Sequence, residues 1–174
     1  ACQEAGIKVC ACTGRNWSEC RKIVKEVGFD EFCAVNNGAS IIEVNTGELR
    51  YHNRFDPNAI AGLVDVMLEY PGVKFGLTGL ESTAVLNGYM EDWFEQESEE
   101  LLEELYHLKI YDTKEELVDA CREDVERINC RLPFLQYFEQ VREKMNRYTD
   151  IEIMQSTDGY LEISAKDGTK AEAL

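Results

Sequence analysis

Apolar and polar positions along the chain alternate between short apolar runs and helical stripes. Gln3-Glu4-Ala5 before Gly6 reads as the end of a helix with its glycine cap. Residues 7–12 follow as a buried strand, and Thr13-Gly14-Arg15-Asn16 as the turn after it. Trp17, Cys20, Ile23, Val24 and Val27 form one helical stripe, stopped by Gly28. Phe32-Cys33-Ala34-Val35 is a second apolar strand, ending at Asn36-Asn37-Gly38. Strand, helix, strand in this order predicts a parallel α/β unit.

The pattern changes near Ala39. Residues 40–44 and 48–53 flank Asn45-Thr46-Gly47 and predict a hairpin. Asp56-Pro57 opens a helix carrying Ile60, Leu63, Val64, Met67 and Leu68 on one stripe. Residues 72–80 and 82–89 read as strands, 91–106 as an acidic helix with a solvated face, and Lys109-Ile110-Tyr111 as a short strand. Thr113 and Glu116 have capping-box spacing. The helix they open is expected to carry Leu117, Cys121, Val125 and Ile128 on one face. Pro133 breaks the chain, a helix spans about 134–148, and 151–155 with 160–163 close a last hairpin. Helices interleaved with hairpins predict an α+β module on an antiparallel sheet, inserted over residues 40–163. Residues 1–39 and 164–174 form the remainder of a parallel-sheet α/β domain. The helix stubs at both ends read as an excerpt from a longer chain.

Composition narrows the function classes. The 174 residues carry 34 acidic and 18 basic side chains, a formal net charge of −16 at pH 7. That field repels nucleic acid and anionic lipid, so neither is expected as a partner. A phosphorylated substrate would need a local basic site. No apolar run is long enough to span a membrane, and no signal peptide opens the sequence. A cytoplasmic setting is the expectation, and seven cysteines then read as mostly buried thiols. Cys10-Ala11-Cys12 lacks a second ligand pair for zinc. The two histidines, His52 and His107, stand far apart in sequence, and no histidine metal site is expected.

The run from Gly6 to Thr13-Gly14-Arg15, then Asn37-Gly38-Ala39, then Leu161-Glu162-Ile163 before Gly168-Thr169-Lys170, occurs in a set order. In that order it resembles the Cof-type sugar-phosphate phosphatases of the haloacid dehalogenase-like (HAD) superfamily. The resemblance implies a Rossmann-like core with a large α+β cap inserted between the second and third of four motifs. It implies Thr13 as the strand-end hydroxyl of the second motif and Lys170 as the lysine of the third, both catalytic. Thr13, Gly14, Arg15, Asn37 and Lys170 would then bind the phosphate or substrate. Thr13 could equally cap the following helix, Asn37 could simply form a turn, and Arg15 and Lys170 could be surface residues.

The resemblance further implies Mg²⁺ and an aspartyl-phosphate intermediate. Yet the sequence holds no Asp-x-Asp-Gly-Thr and no Gly-Asp. Asp167-Gly168-Thr169 has Ala165 where the nucleophile would stand. No Mg²⁺ ligands are therefore expected in this chain, which should be inactive alone. A non-catalytic binding module and a phosphosugar mutase are the competing readings.

Overall fold

A computed structural model describes residues 2–92, 96–133, 135–157 and 159–173. Two sheets organise it. The first has four strands in the order β1-β2-β3-β4: β1 (Ala11–Cys12), β2 (Phe32–Val35), β3 (Ser40–Glu43) and β4 (Leu49–His52). β1 and β2 are parallel, joined by helix α1 (Trp17–Val27). β2-β3 and β3-β4 are antiparallel. Trp17, Cys20 and Val24 pack on Cys33, Val35, Ile42 and Val44.

The second sheet has six strands in the order β7-β6-β5-β8-β10-β9. They are β5 (Lys74–Thr78), β6 (Thr83–Leu86), β7 (Lys109–Tyr111), β8 (Arg127–Arg131), β9 (Ile151–Thr157) and β10 (Tyr160–Ala165). All its pairings are antiparallel except β6-β7. Helices α2 (Ile60–Leu68), α4 (Lys114–Cys121) and α5 (Phe138–Met145) supply residues to the core on one face. Two short helices, α3 (Glu99–Glu104) and α6 (Lys170–Ala173), complete the fold. It is therefore α/β, with mixed sheets. No helix among the described residues is long and apolar enough to cross a membrane.

Several expectations from sequence change. The hairpin over 40–52 extends the first sheet, because β3 pairs residue for residue with β2; it is not the opening of the antiparallel module. Residues 7–12 form a strand only at Ala11–Cys12, and Ile7 is 57% exposed. Upstream, the chain is held by Asp30 instead. Val9 N–H donates to the Asp30 carboxylate at 2.7 Å, and Asp30 N–H returns to the Val9 carbonyl at 2.8 Å. All seven cysteines are free, but Cys2 and Cys10 are exposed rather than buried. On α1, Ile23 and Val27 face solvent, so the buried stripe is narrower than its sequence pattern.

The expected acidic helix is described as helix only over Glu99–Glu104; residues 93–95 lie outside the described residues, as do Phe134 and Asp158. Glu91 is buried, not solvated.

The largest change is β8. Leu117, Cys121, Val125 and Ile128 have helical spacing, but α4 ends at Cys121 and Ile128 lies in a strand. The same stretch also has a period of two. Ile128, Cys130 and Leu132 are buried in the core, while Arg127 and Asn129 face the other way. The strand wins because β8 gains ladders on both sides, to β5 and to β10. The capping box of α4 does form, with Thr113 accepting from Glu116 N–H and the Glu116 side chain accepting from Thr113 N–H.

Ile128 is fully buried and Ile110 is 54% exposed. Ile128→Ala should therefore cost about 2–5 kcal/mol in urea unfolding, and Ile110→Ala no more than about 0.5 kcal/mol. Equal losses would mean that β8 does not sit at the centre of the core.

Candidate active site in the cleft between the sheets

The parallel pair β1-β2 ends in two loops that bind each other. Thr13 N–H donates to the Ala34 carbonyl at 2.9 Å, Asn37 N–H to the Thr13 carbonyl at 3.0 Å, and Asn36 N–H to the Arg15 carbonyl at 2.9 Å. The Thr13 hydroxyl accepts from Arg15 N–H at 3.1 Å. It does not cap α1. Asn16 does so, accepting from Glu19 N–H at 3.0 Å. Asn36 and Asn37 both have positive φ, 47° and 61°, a region that asparagine tolerates better than most residues.

These loops form one wall of a cleft of about 280 Å³, the size of a small-metabolite pocket. Thr13, Gly14 and Arg15 line it from the first sheet. The second sheet supplies the facing wall. Gly76, Asn129 and Glu162 stand in one row across β5, β8 and β10. Arg127, Tyr160, Glu91 and Thr83 extend the polar surface. Phe75, Cys130 and Leu161 occupy the adjacent row and are fully buried. Period-two alternation thus makes one face of the sheet core and the other face cleft.

Two contacts cross the cleft. Arg127 Nη1 donates to the Gly14 carbonyl, and Asn37 Nδ2 donates to Glu162 Oε2. Arg127 and Glu162 also pair at 3.6 Å. Asn37 is thereby buried and bound to the cleft's edge rather than lining it. Gly38, at φ 103°, lets the Lys170 segment approach. A Cβ there would collide with the Thr169 carbonyl and stand 2.9 Å from Lys170 N. Lys170 begins α6, is exposed, and makes no hydrogen bond or ion pair with a described residue. Its charge reaches the Cys12 thiol, where it partly offsets the upward push of burial. The structure therefore gathers all five residues named from sequence around the ends of β1 and β2, and three of them line the cleft.

Charge in the cleft is mixed. Burial raises the Glu19 carboxyl above its ordinary range, against the pull of Arg127 and Arg15. Burial also raises Glu91, opposed by Arg131, whose Nε lies 3.2 Å from Glu91 Oε2. The Tyr160 hydroxyl is pushed up to about 12 by burial, so it stays a neutral donor and acceptor. Among the described residues, Arg127 Nε and Glu91 Oε1 are buried without hydrogen-bond partners. A ligand in the cleft could satisfy such atoms. Sequence reasoning missed Arg127, Asn129, Tyr160, Glu162 and Glu91. The period-two alternation of residues 127–132 is the sequence signal that could have found the first two.

Among the described residues, one group of three metal-capable side chains converges: His52, Asp124 and Glu126, with ligand atoms within 4.8 Å of one another. It does not line the cleft. No such group stands beside Thr13 or Lys170 among the described residues.

Residues 1–174 match the haloacid dehalogenase-like hydrolase family throughout. The chain belongs to it. Solved structures share its fold. A sugar phosphatase of HAD subclass IIB superposes with a TM-score of 0.75 at 14% identity, over 98% of this chain and 61% of its own. A protein from Streptococcus mutans does so at 0.76 and 18%, over 99% of this chain and 62% of its own. A haloacid dehalogenase-like hydrolase from B. subtilis gives 0.73 and 18%, over 99% and 66%. The chain thus spans about three fifths of the first two. No curated protein matches it by sequence.

Gly38→Ala should drive the Thr169–Lys170 backbone away from the Asn37 loop. The expected readouts are a lower Tm and faster amide exchange at residues 168–172. Unchanged exchange there would show that Gly38 does not position Lys170.

Proposed function

We propose that this chain forms the cap-bearing part of a phosphatase acting on small phosphorylated metabolites, with sugar phosphates as the substrate class. One observation carries the reading. The Thr13-Gly14-Arg15 turn, at the carboxyl end of a parallel strand, faces a polar sheet wall across a cleft of metabolite size. Ligands of open α/β sheets bind at that edge. The HAD family membership and the likeness to a sugar phosphatase support the same reading.

In this proposal the residues after His52, through β10, act as the cap, and the strands up to His52, with α6, belong to the core. Thr13 and the N–H groups of its turn hold phosphoryl oxygens, as hydroxyls and oriented amides can. Lys170 brings a point charge to the same edge. The second sheet's wall, with Asn129, Tyr160 and Glu91, contacts the leaving group and excludes water. The sequence contains no Asp-x-Asp-Gly-Thr nucleophile motif. The chain's own share is therefore binding, orientation and charge. Mg²⁺ and the attacking carboxylate belong to the larger protein.

The chain by itself should release no phosphate from hexose phosphates with Mg²⁺ present, while a full-length protein containing it should. In the latter, Lys170→Met should lower kcat by about 10²-fold or more, the scale for removing one transition-state donor. Turnover by the chain alone would overturn the assignment of the nucleophile to other residues. Near-normal kcat in the Lys170→Met protein would remove Lys170 from the mechanism.

A further inference from the structure

We propose that His52, Asp124 and Glu126 form a binding site for a divalent transition-metal ion, such as Zn²⁺, at the seam between the two sheets. His52 ends β4 in the first sheet. Asp124 and Glu126 immediately precede β8 in the second. The site is separate from the cleft and from the phosphatase reading.

Negative charge is concentrated here, and Arg54 and Lys109 act on Asp124 only at a distance. Glu126 is fully buried and Asp124 is half-buried, and their carboxylates stand within 4.8 Å of each other and of a His52 nitrogen. Among the described residues no Lys or Arg forms an ion pair with either carboxylate. Two neighbouring carboxylates away from water are costly unless a positive group compensates them. His52 Nε2 lies 2.9 Å from Glu126 Oε1, yet it is not aligned to hydrogen-bond and is buried without a partner.

A second observation points the same way. Asn36 is fully buried and its amide is part of this knot, with Nδ2 donating to Glu126 Oε2 and to the Gly79 carbonyl at 3.1 Å. Its Oδ1 has no hydrogen-bond partner among the described residues. The amide therefore braces the Glu126 carboxylate through Nδ2 while its other polar atom is left unsatisfied. The surroundings also resemble those of a metal ligand set. Ser40 Oγ donates to Glu126 Oε1 at 2.7 Å, fixing that carboxylate as second-shell groups do. Space for Asp124 depends on Gly79, where a Cβ would collide with the Asp124 carboxylate. The His52 side chain is 24% exposed, which leaves an approach from solvent.

Donor chemistry selects the ion. One imidazole with two carboxylates suits Zn²⁺ or Mn²⁺, whereas Mg²⁺ takes oxygen ligands and keeps its waters. Ligand atoms on one zinc ion stand no more than about 4.2 Å apart, twice a Zn–N or Zn–O bond. The spread of up to 4.8 Å therefore needs a small rotation of one partly exposed side chain. A bound ion would tie the end of β4 to the residues that open β8.

The test is Zn²⁺ titration of the chain, followed by calorimetry and by thermal unfolding. The exposed Cys2 and Cys10 are first changed to Ser, so that surface thiols do not capture zinc. One saturable Zn²⁺ per chain is expected, with a rise in Tm. His52→Gln and the near-isosteric Asp124→Asn should each weaken binding about tenfold or more and remove most of that rise. Circular dichroism of the metal-free variants should match the parent. Mg²⁺ at the same concentration should leave Tm unchanged. Absence of saturable Zn²⁺ binding would overturn the site, and so would Zn²⁺ binding left unchanged by both variants. A Tm rise with Mg²⁺ as large as with Zn²⁺ would overturn the role of the imidazole.

Discussion

The packing of the two sheets depends on one buried carboxylate. Glu126 is fully inside the protein, and its oxygens are held by Asn36 and Ser40, both from the first sheet. Its own N–H donates to the Thr78 carbonyl at 3.0 Å, which anchors it in the second. An ion this deep is tolerated only when hydrogen bonds or a counter-charge replace its lost hydration. Burial raises the carboxyl above its ordinary range, while Asn36, Ser40 and His52 pull it back down. The sheets must meet so that these donors converge, and that geometry fixes where β8 begins. The next residue along, Arg127, is thereby delivered to Gly14. The cleft is in this sense a consequence of the knot beside it.

Much of the fold was legible because local signals and tertiary demands agree. Gly28 closes α1 in the left-handed region with its N–H on Lys25 and Val24 carbonyls, and Thr113 with Glu116 caps α4 as their spacing predicted. The Asn45-Thr46-Gly47 turn joins β3 to β4. The failures arose where two periods fit one stretch. Residues 117–128 satisfy a helical stripe, and 128–132 satisfy a strand; pairing partners on both sides decided it, and the farthest, Lys74 opposite Arg131, lies 57 residues away along the chain. Sheet membership of the 40–52 hairpin is likewise a tertiary fact. Its alternation would suit either sheet.

The site was legible in proportion to how local it is. Thr13, Gly14 and Arg15 follow an apolar run directly, and their place at a strand end could be read from that. Glu162 and Arg127 could not be placed so, because alternation along their strands does not say which face meets the cleft. The acidic run misled in a different manner. Glu91 looked like one solvated charge among many, yet it is 4% exposed and paired with Arg131. A net charge of −16 describes the whole chain, while Arg15 and Arg127 both line the cleft. Local arrangement, not the total, sets the potential a ligand meets there.

The polar groups across the cleft are already engaged with one another. Arg127 Nη1 is bound to the Gly14 carbonyl, Glu162 accepts from Asn37, and Arg127 and Glu162 pair. A ligand that displaced any of these would exchange one hydrogen bond for another, and such exchanges net only about 0.5–1.5 kcal/mol each. The groups with most to gain are those left unsatisfied, Arg127 Nε and Glu91 Oε1, because each is buried with its desolvation uncompensated. Recognition in this cleft therefore favours a molecule that offers an acceptor to the guanidinium and a donor to the carboxylate without prying the two sheets apart. A polyhydroxylated phosphate ester has both kinds of group. On the proposed phosphatase reading, the hydroxyls of a leaving group would meet Glu91, and there the second sheet's wall would tell one ester from another.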